Sequence, residues 1–288
     1  TYRGCWGRVA RQLRHSQALA CLCEPFSSVW FLDTSSLARY VDRSPAVPDE
    51  AKKAFRLFAD DLQIVAHRLS LWGRIVTRLA VEAHVASHEV LQSDLQRHAE
   101  KIAASTLRPP IVVVGLPRTG TTLLHHLLAL DPDSQCLRAF ELMRPVRSIQ
   151  GWLPAWFVDA FDWAKLALLM RLGEVIAPQW PHHHSLDAAS PEECLFALQR
   201  SMPLDTHYRA QPRLPAVYAK EEDIPTAAYQ RYRSFLQQVQ VRRGSESQRF
   251  VLKGQLVHLQ YLAQLRQAFP EAKVVWSHRP VEEVVGSL

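Results

Sequence analysis

The sequence predicts an α/β fold in which helices flank a parallel sheet and a helical region precedes it. Three short apolar runs are strand candidates, at residues 111–114, 250–252 and 273–277, and the first of them, wholly apolar and β-branched, is typical of a parallel strand buried on both faces. Segments with helical spacing separate these runs, and strands that alternate with helices form parallel sheets. Ligands of such sheets lie beyond the carboxyl ends of the strands.

Two regions differ in their pattern along the chain. From Asp49 to about Leu107, apolar residues recur at three- to four-residue spacing with charges between them, which predicts helices. Two acids after Pro48 suit a helix start. We therefore predict a mainly helical N-terminal region over residues 1–107 and an α/β domain over residues 108–288. Residues 1–30 show no clear period.

Further elements are expected inside the α/β domain. Helices are predicted between the first and second strands at residues 121–130, 191–201 and 226–240, and between the second and third strands at residues 256–269. A further helix is predicted to begin near Val281. Residues 134–137 are interpreted as another strand of the sheet.

Composition and charge limit the classes of function. The chain has 288 residues, 48% of them apolar and 22% charged, which is typical of a globular protein that needs no disulfide or metal to hold its core. Lysine and arginine exceed aspartate and glutamate by 34 to 28, without a long basic run. This favours a small anionic ligand and gives no indication of a nucleic-acid partner.

Cysteine usage and hydropathy bear on the cellular location. The five cysteines are odd in number and irregular in spacing, so no disulfide framework is expected. No stretch reaches the roughly 20 uncharged apolar residues of a membrane span, and residues 1–24 do not resemble a signal peptide. We predict a reducing, cytoplasmic location and no membrane span.

A phosphate-binding loop is predicted directly after the first strand, in a P-loop-type arrangement of strand, turn and helix start. Backbone N–H groups and the helix dipole there favour an anion. Gly115 lets the chain turn, Gly120 allows close approach of a phosphate, and Arg118 adds a forked cation. The cofactor-binding candidates in the loop are Gly115, Pro117, Arg118, Thr119, Gly120, Thr121 and Thr122.

Other interpretations of the loop stay open at this point. A chance glycine-rich turn is the simplest, although the strand before the loop and the helix after it argue against chance. An ATP-type loop would carry a lysine where Thr121 stands, and a kinase or NTPase also needs a magnesium-binding aspartate at a strand end. The strand at residues 273–277 is followed by His-Arg instead. A non-catalytic nucleotide-binding interaction protein is the third alternative.

The sequence Pro-Ile-Val-Val-Val-Gly-Leu-Pro-Arg-Thr-Gly-Thr-Thr-Leu-Leu-His at residues 110–125 resembles the 5'-phosphosulfate loop of bacterial-type sulfotransferases. These are relatives of the trehalose sulfotransferase. The resemblance spans about residues 80–288 and continues through residues 138–145, 190–194, 250–253, 273–279 and Ser287. It implies transfer of a sulfuryl group from 3'-phosphoadenosine-5'-phosphosulfate (PAPS) to a sugar, lipid or phenol hydroxyl, without a metal.

The same resemblance implies that Arg279 and Ser287, eight residues apart, bind the 3'-phosphate of the cofactor. An arginine fork and a helix N-terminus suit a phosphate, although a surface arginine and an ordinary helical serine are the alternative. The family usually has Asp-Pro after this arginine, where Pro280 and Val281 stand here. Because the sequence stops one residue after Ser287, we expect the domain to be C-terminally incomplete and to bind cofactor less well than a longer form.

In-line sulfuryl transfer needs a stabiliser for the leaving oxygen and a base for the acceptor proton. Arg118 is the predicted stabiliser. Glu141, about twenty residues after the loop, is the predicted base because the resemblance implies a catalytic glutamate at a similar interval. A surface glutamate is the alternative, and Glu192 is the reserve candidate.

Several other residues rank below these candidates. Glu192 and Glu193 follow a proline and suit the first turn of a helix. The family usually has Ser-Pro after Lys253, where Gly-Gln stands, so Lys253 and His258 rank low. The three histidines at residues 182–184 lack the spacing of a helical metal pair, and we interpret them as a loop.

Overall fold

The computed structural model describes residues 34–143 apart from 66–68 and 70, residues 187–203, residues 218–287 apart from 219, and part of residues 160–171. The three histidines at residues 182–184 and the aperiodic residues 1–30 lie outside the described residues.

The described strands form one parallel sheet in the order β2-β3-β1-β4. Their bounds are β1, Ile111–Gly115; β2, Ser134–Gln135; β3, Arg249–Lys253; and β4, Lys273–Ser277. Val112 is aligned with Leu252 on one side and with Val274 on the other. The predicted α/β fold with a parallel sheet is therefore confirmed, and three of its strands lie where the apolar runs predict them.

Helices precede the sheet and cover it. Their bounds are α1, Thr34–Arg43; α2, Asp49–Val65; α3, Leu71–Arg97; α4, Ala99–Ala104; α5, Thr121–Leu128; α6, Ala139–Met143; α7, Leu195–Leu198; α8, Asp223–Arg243; α9, Gln255–Gln260; α10, Leu262–Ala268; and α11, Val281–Val285. No helix in the described ranges is long and apolar enough to cross a membrane.

The segment predicted as one helix over residues 256–269 is two helices, α9 and α10, which meet at Tyr261. Tyr261 has φ −115° and ψ 40°, outside the helical region, and its ring is buried in the main core. The apolar spacing is continuous across this residue, which explains why the sequence pattern alone predicts a single helix.

The first helices pack around a small core of their own. Leu37 and Val41 of α1 lie one turn apart and meet Phe55 of α2 and Val85 of α3. Ala54, on another face of α2, belongs to the larger core of the α/β region. The helical region therefore packs directly against the α/β region, through contacts between α2 and α8. The predicted division between residues 107 and 108 stays a prediction.

The main core lies against the face of the sheet that α8 covers. Val112 and Val114 of β1 are fully buried, as are Tyr229 and Leu236 of α8. β1 lies between β3 and β4, so its carboxyl end reaches the loop with neighbouring strands on both sides. This packing fixes the starting point of the phosphate loop.

Candidate functional site

The loop after β1 turns sharply because its first residue has no side chain. A Cβ atom on Gly115 would lie 2.7 Å from the Ser277 carbonyl oxygen and 2.9 Å from Thr119 Oγ1. Any other residue would push β4 or the loop aside. The hydroxyl of Ser277 donates to the Thr119 carbonyl, so the end of β4 also supports the loop from outside.

Two residues of the loop adopt left-handed backbone conformations. Gly120 has φ 84°, which glycine tolerates, whereas Arg118 has φ 67°, which costs a non-glycine residue about 1–3 kcal/mol. Such strain is concentrated at functional sites. The Arg118 side chain is exposed and the Thr119 hydroxyl donates to the Leu116 carbonyl over 2.7 Å.

Helix α5 begins directly after Gly120, with Thr121 buried and Thr122 exposed. The first N–H groups of a helix have no acceptor within the helix, and the dipole adds partial positive charge. The loop thus offers N–H groups, a hydroxyl and a guanidinium to an anion. The structure brings the predicted residues 115–122 together in one turn.

Lys253 is buried beside this loop, although the sequence argument ranks it low. It ends β3, next to β1, and its side chain is 2% exposed. Its Nζ atom donates to Thr122 Oγ1 over 2.9 Å and lies 3.0 Å from Glu193 Oε1. A lysine at the end of an apolar strand is the signal that indicates this position, but the Gly254-Gln255 departure from the family pattern obscured it.

Glu193 reaches Lys253 because its segment is held against the sheet. The Cys194 amide donates to the Lys253 carbonyl over 2.8 Å, and the Glu192 amide donates to the Leu137 carbonyl over 3.1 Å. The Glu192 carboxylate is buried and accepts from the Glu193 amide over 2.9 Å. Glu193 is thereby held in contact with Lys253.

Glu141 lies in the first turn of α6 and forms an ion pair with the last turn of α8. Arg243 Nη2 lies 2.7 Å from Glu141 Oε1 and 2.6 Å from Oε2, and the Arg138 amide donates to Oε2 over 2.8 Å. Both carboxylate oxygens are therefore occupied. The described contacts of this carboxylate are with Arg243 and Arg138, and its role as a base stays a prediction.

The second predicted anion site adjoins the first. Arg279 follows β4 and donates through Nη1 to the Arg118 carbonyl over 3.4 Å, while its Nε donates to Glu283 over 2.7 Å. The Ser287 hydroxyl donates to the Val284 carbonyl of α11 over 2.8 Å. The structure therefore brings Arg279 to the phosphate loop, with Ser287 just beyond the same short helix.

His258 is buried beneath the loop region and is neutral at pH 7, because burial lowers its pKa to about 3. Its Nδ1 atom shares a hydrogen bond of 2.7 Å with the Tyr229 hydroxyl. A Cβ atom on Gly254 would lie 2.4 Å from the ring of His258. The imidazole fills the space that a side chain at position 254 would need, which gives a physical reason for the glycine after Lys253.

We expect Gly254→Ala to lower the free energy of unfolding by roughly 1–3 kcal/mol, the usual cost of overpacking a core. His258→Ala removes the ring that blocks the new methyl group. The same Gly254→Ala change should therefore cost much less in a His258→Ala background. Urea denaturation of the wild type, both single variants and the double variant measures this coupling. Equal costs in the two backgrounds would show that the ring does not select the glycine.

The chain resembles known proteins both in sequence and in fold. The sequence profile of a family described as the sulfotransferase family matches residues 109–210 and 200–288. The crystal structure of sulfotransferase STF1 from Mycobacterium tuberculosis H37Rv is similar, with a TM-score of 0.70 and 25% sequence identity, over 88% of this chain and 69% of that one. Sulfotransferase STF9 from Mycobacterium avium has a TM-score of 0.61 and 21% identity, over 88% of this chain and 63% of its own. No curated protein matches the chain in sequence.

Proposed function

Because the chain belongs to the sulfotransferase family, we propose that it moves a sulfuryl group from PAPS to the hydroxyl of a sugar, lipid or phenol. The observation that supports this donor is the direct contact between the two predicted anion-binding elements, the loop of residues 115–122 and Arg279. PAPS carries one phosphate on the 3' oxygen of its ribose and the phosphosulfate on the 5' oxygen of the same ribose. Two adjoining cationic sites suit that molecule.

The loop would hold the 5'-phosphosulfate. The N–H groups that open α5 would donate to an anion at this position, and Thr122 would add a hydroxyl. Arg118 is exposed on the same turn and is our candidate for stabilising the sulfuryl group. Arg279 and Ser287 would bind the 3'-phosphate, with the Arg279 fork giving directional hydrogen bonds.

Chemistry at this site requires one bond to form and one to break. The acceptor oxygen attacks the sulfur, the bond between sulfur and the bridging phosphate oxygen breaks, and 3'-phosphoadenosine-5'-phosphate (PAP) leaves. Lys253, 2.9 Å from Thr122, is our candidate for stabilising the charge that grows on the bridging oxygen. A carboxylate takes the acceptor proton as the new bond forms.

Two carboxylates are candidates for this base. Glu141 is predicted from its interval after the loop, and it is held by Arg243. Glu193 contacts Lys253, and Lys253 contacts Thr122 of the loop. Glu193 is therefore separated from the loop by a single side chain. We favour Glu193 because of this proximity, with Glu141 and Glu192 as the alternatives.

The direct test is incubation with PAPS and a panel of sugar, lipid and phenol acceptors, followed by mass spectrometry of the products. A sulfated product that depends on PAPS supports the proposal. Tight PAP binding without any sulfated product would favour the non-catalytic alternative. ATP binding tighter than PAP binding, and dependent on magnesium, would favour the kinase alternative. A cytoplasmic location stays a prediction from cysteine usage.

Arg279→Ala should weaken PAP binding with little effect on turnover at saturating cofactor. The lost charged hydrogen bonds are worth about 1.5–3 kcal/mol. Calorimetry without divalent metal measures the affinity, and Arg266→Ala, which removes an exposed arginine of α10, is the matched control. An unchanged PAP affinity in Arg279→Ala would remove this residue from the proposed phosphate site.

A further inference from the structure

A separate cavity of about 280 Å³ lies between α3, α7 and α8, beside the loop that joins α1 to α2. Leu91, Leu95, Tyr232 and Phe235 supply apolar walls. The loop of residues 115–122, Lys253 and Arg279 do not line it. The cavity therefore differs from the proposed cofactor site.

An arginine whose charge has no described counterion lies in the wall of this cavity. Arg200 is 3% exposed, and its guanidinium carbon lies 4.7 Å from the centre of the Phe235 ring. Its Nη2 donates to the carbonyls of Glu141 and Leu142. None of the ion pairs in the described ranges includes Arg200.

Burial makes this charge costly. It lowers the pKa of Arg200 to about 10, so the group is still charged at neutral pH. A buried charge is stabilised best by an opposite charge with good hydrogen bonds. The other arginine of the cavity, Arg231, already has a partner, since Glu50 lies 3.3 Å from its Nη1 atom. Among the described residues, the cavity wall therefore keeps one positive charge without an acidic partner.

A second polar side chain in the wall has one atom without a partner among the described residues. Gln238 is 3% exposed, and its Oε1 atom accepts no hydrogen bond from any described group. Its Nε2 atom donates to the Leu91 carbonyl over 3.4 Å. His88, next to it, is neutral at pH 7, because burial lowers its pKa to about 4, and it bonds the Arg200 carbonyl over 2.6 Å. Gln238 and Arg200 thus both belong to the wall of the same small apolar space.

We propose that this cavity is a binding site for a small organic monoanion with an apolar body, of the size and kind of an aromatic carboxylate. The carboxylate would neutralise Arg200, and the ring would lie against Tyr232 and Phe235. The combination of a buried unpaired cation with apolar walls selects this class over neutral apolar molecules and over inorganic anions.

The site is connected to the reaction centre through one short segment. The Tyr232 hydroxyl donates to Cys194 Sγ over 2.8 Å, and the Cys194 amide donates to the Lys253 carbonyl. Glu193, the preceding residue, contacts Lys253. Binding itself does not depend on the sulfotransferase proposal, because it uses none of the cofactor residues.

Benzoate is the test ligand, with benzamide as its neutral counterpart. Calorimetry or ligand-observed NMR on the full chain should show benzoate binding at least about tenfold tighter than benzamide, the difference expected of a charged hydrogen bond. Saturating PAP should leave benzoate affinity unchanged.

Two pairs of variants locate the site. Ala46→Phe fills the cavity from its half-buried edge, and Ala104→Phe makes the same change at an exposed position outside it. Arg200→Met removes the charge, and Arg266→Met removes an exposed one. Benzoate affinity should fall at least about tenfold in Ala46→Phe and Arg200→Met and should persist in both controls.

The outcomes separate the alternatives. If thermal denaturation shows that Arg200→Met does not fold, Ala46→Phe alone decides. The proposal is overturned by any of four results: no benzoate binding at about 10 mM, equal binding of benzamide, displacement of benzoate by PAP, or unchanged benzoate affinity in Ala46→Phe. Displacement of benzoate by sulfate alone would show a simple inorganic anion site and would also overturn it.

Discussion

Replacing Lys253 with methionine is expected to lower turnover by about a hundredfold or more, with a smaller loss of PAP affinity. The lysine is buried, and its Nζ atom contacts Thr122 of the phosphate loop. A cation held there by the end of β3 needs no rearrangement as charge grows on the leaving oxygen. Methionine keeps most of the volume of the side chain but carries no charge.

Single-turnover and steady-state kinetics with PAPS separate the effects on chemistry and binding. Lys101→Met, which removes an exposed lysine of α4, is the matched control and should have near-normal turnover. Because Lys253→Met leaves Glu193 without its partner, the double variant Lys253→Met/Glu193→Gln tests whether the loss comes from a stranded carboxylate. Normal turnover in Lys253→Met would remove the lysine from the proposed mechanism.

Glu193→Gln is expected to lower turnover by about 10²–10⁴-fold, the usual contribution of a general base. Glutamine keeps the shape of the side chain and its contact with Lys253 but cannot accept the acceptor proton. The affinity for PAP should change little, because the carboxylate is not among the proposed phosphate-binding groups.

Glu141→Gln is the matched comparison at the alternative base. If Glu193 is the base, Glu141→Gln should mainly reduce stability, because it weakens the ion pair with Arg243, which lies on a different helix. A large loss of turnover in Glu141→Gln with near-normal turnover in Glu193→Gln would transfer the role to Glu141. A large loss in Glu192→Gln alone would transfer it to Glu192.

Local sequence patterns predicted the sheet and its loop well. The apolar runs mark β1, β3 and β4 to within about one residue. β1 and β3 are buried along most of their length, as strands covered on both faces are, whereas β4 is largely exposed at the edge of the described sheet. The loop of residues 115–122 could be predicted because its two glycines and three threonines serve a local backbone shape.

Contacts between distant segments could not be predicted in this way. Arg243 holds Glu141 from 102 residues further along the chain, and Lys253 meets Thr122 from a separation of 131. Nothing local to Glu141 or Lys253 indicates these partners. Glu193 looked like a first-turn helix residue, and its contact with Lys253 arises because the Cys194 amide bonds to β3.

The parallel order of the sheet also determines when the phosphate loop is completed during folding. β1 pairs with β3 and β4, which come much later in the chain, so these contacts require the closure of very long loops. The support that Ser277 gives to Thr119 forms only when β4 docks. The high contact order of this region therefore favours slow folding, with the anion-binding turn among the last parts to take shape. A bound phosphate would then stabilise the fully folded state more than the partly folded states that precede it.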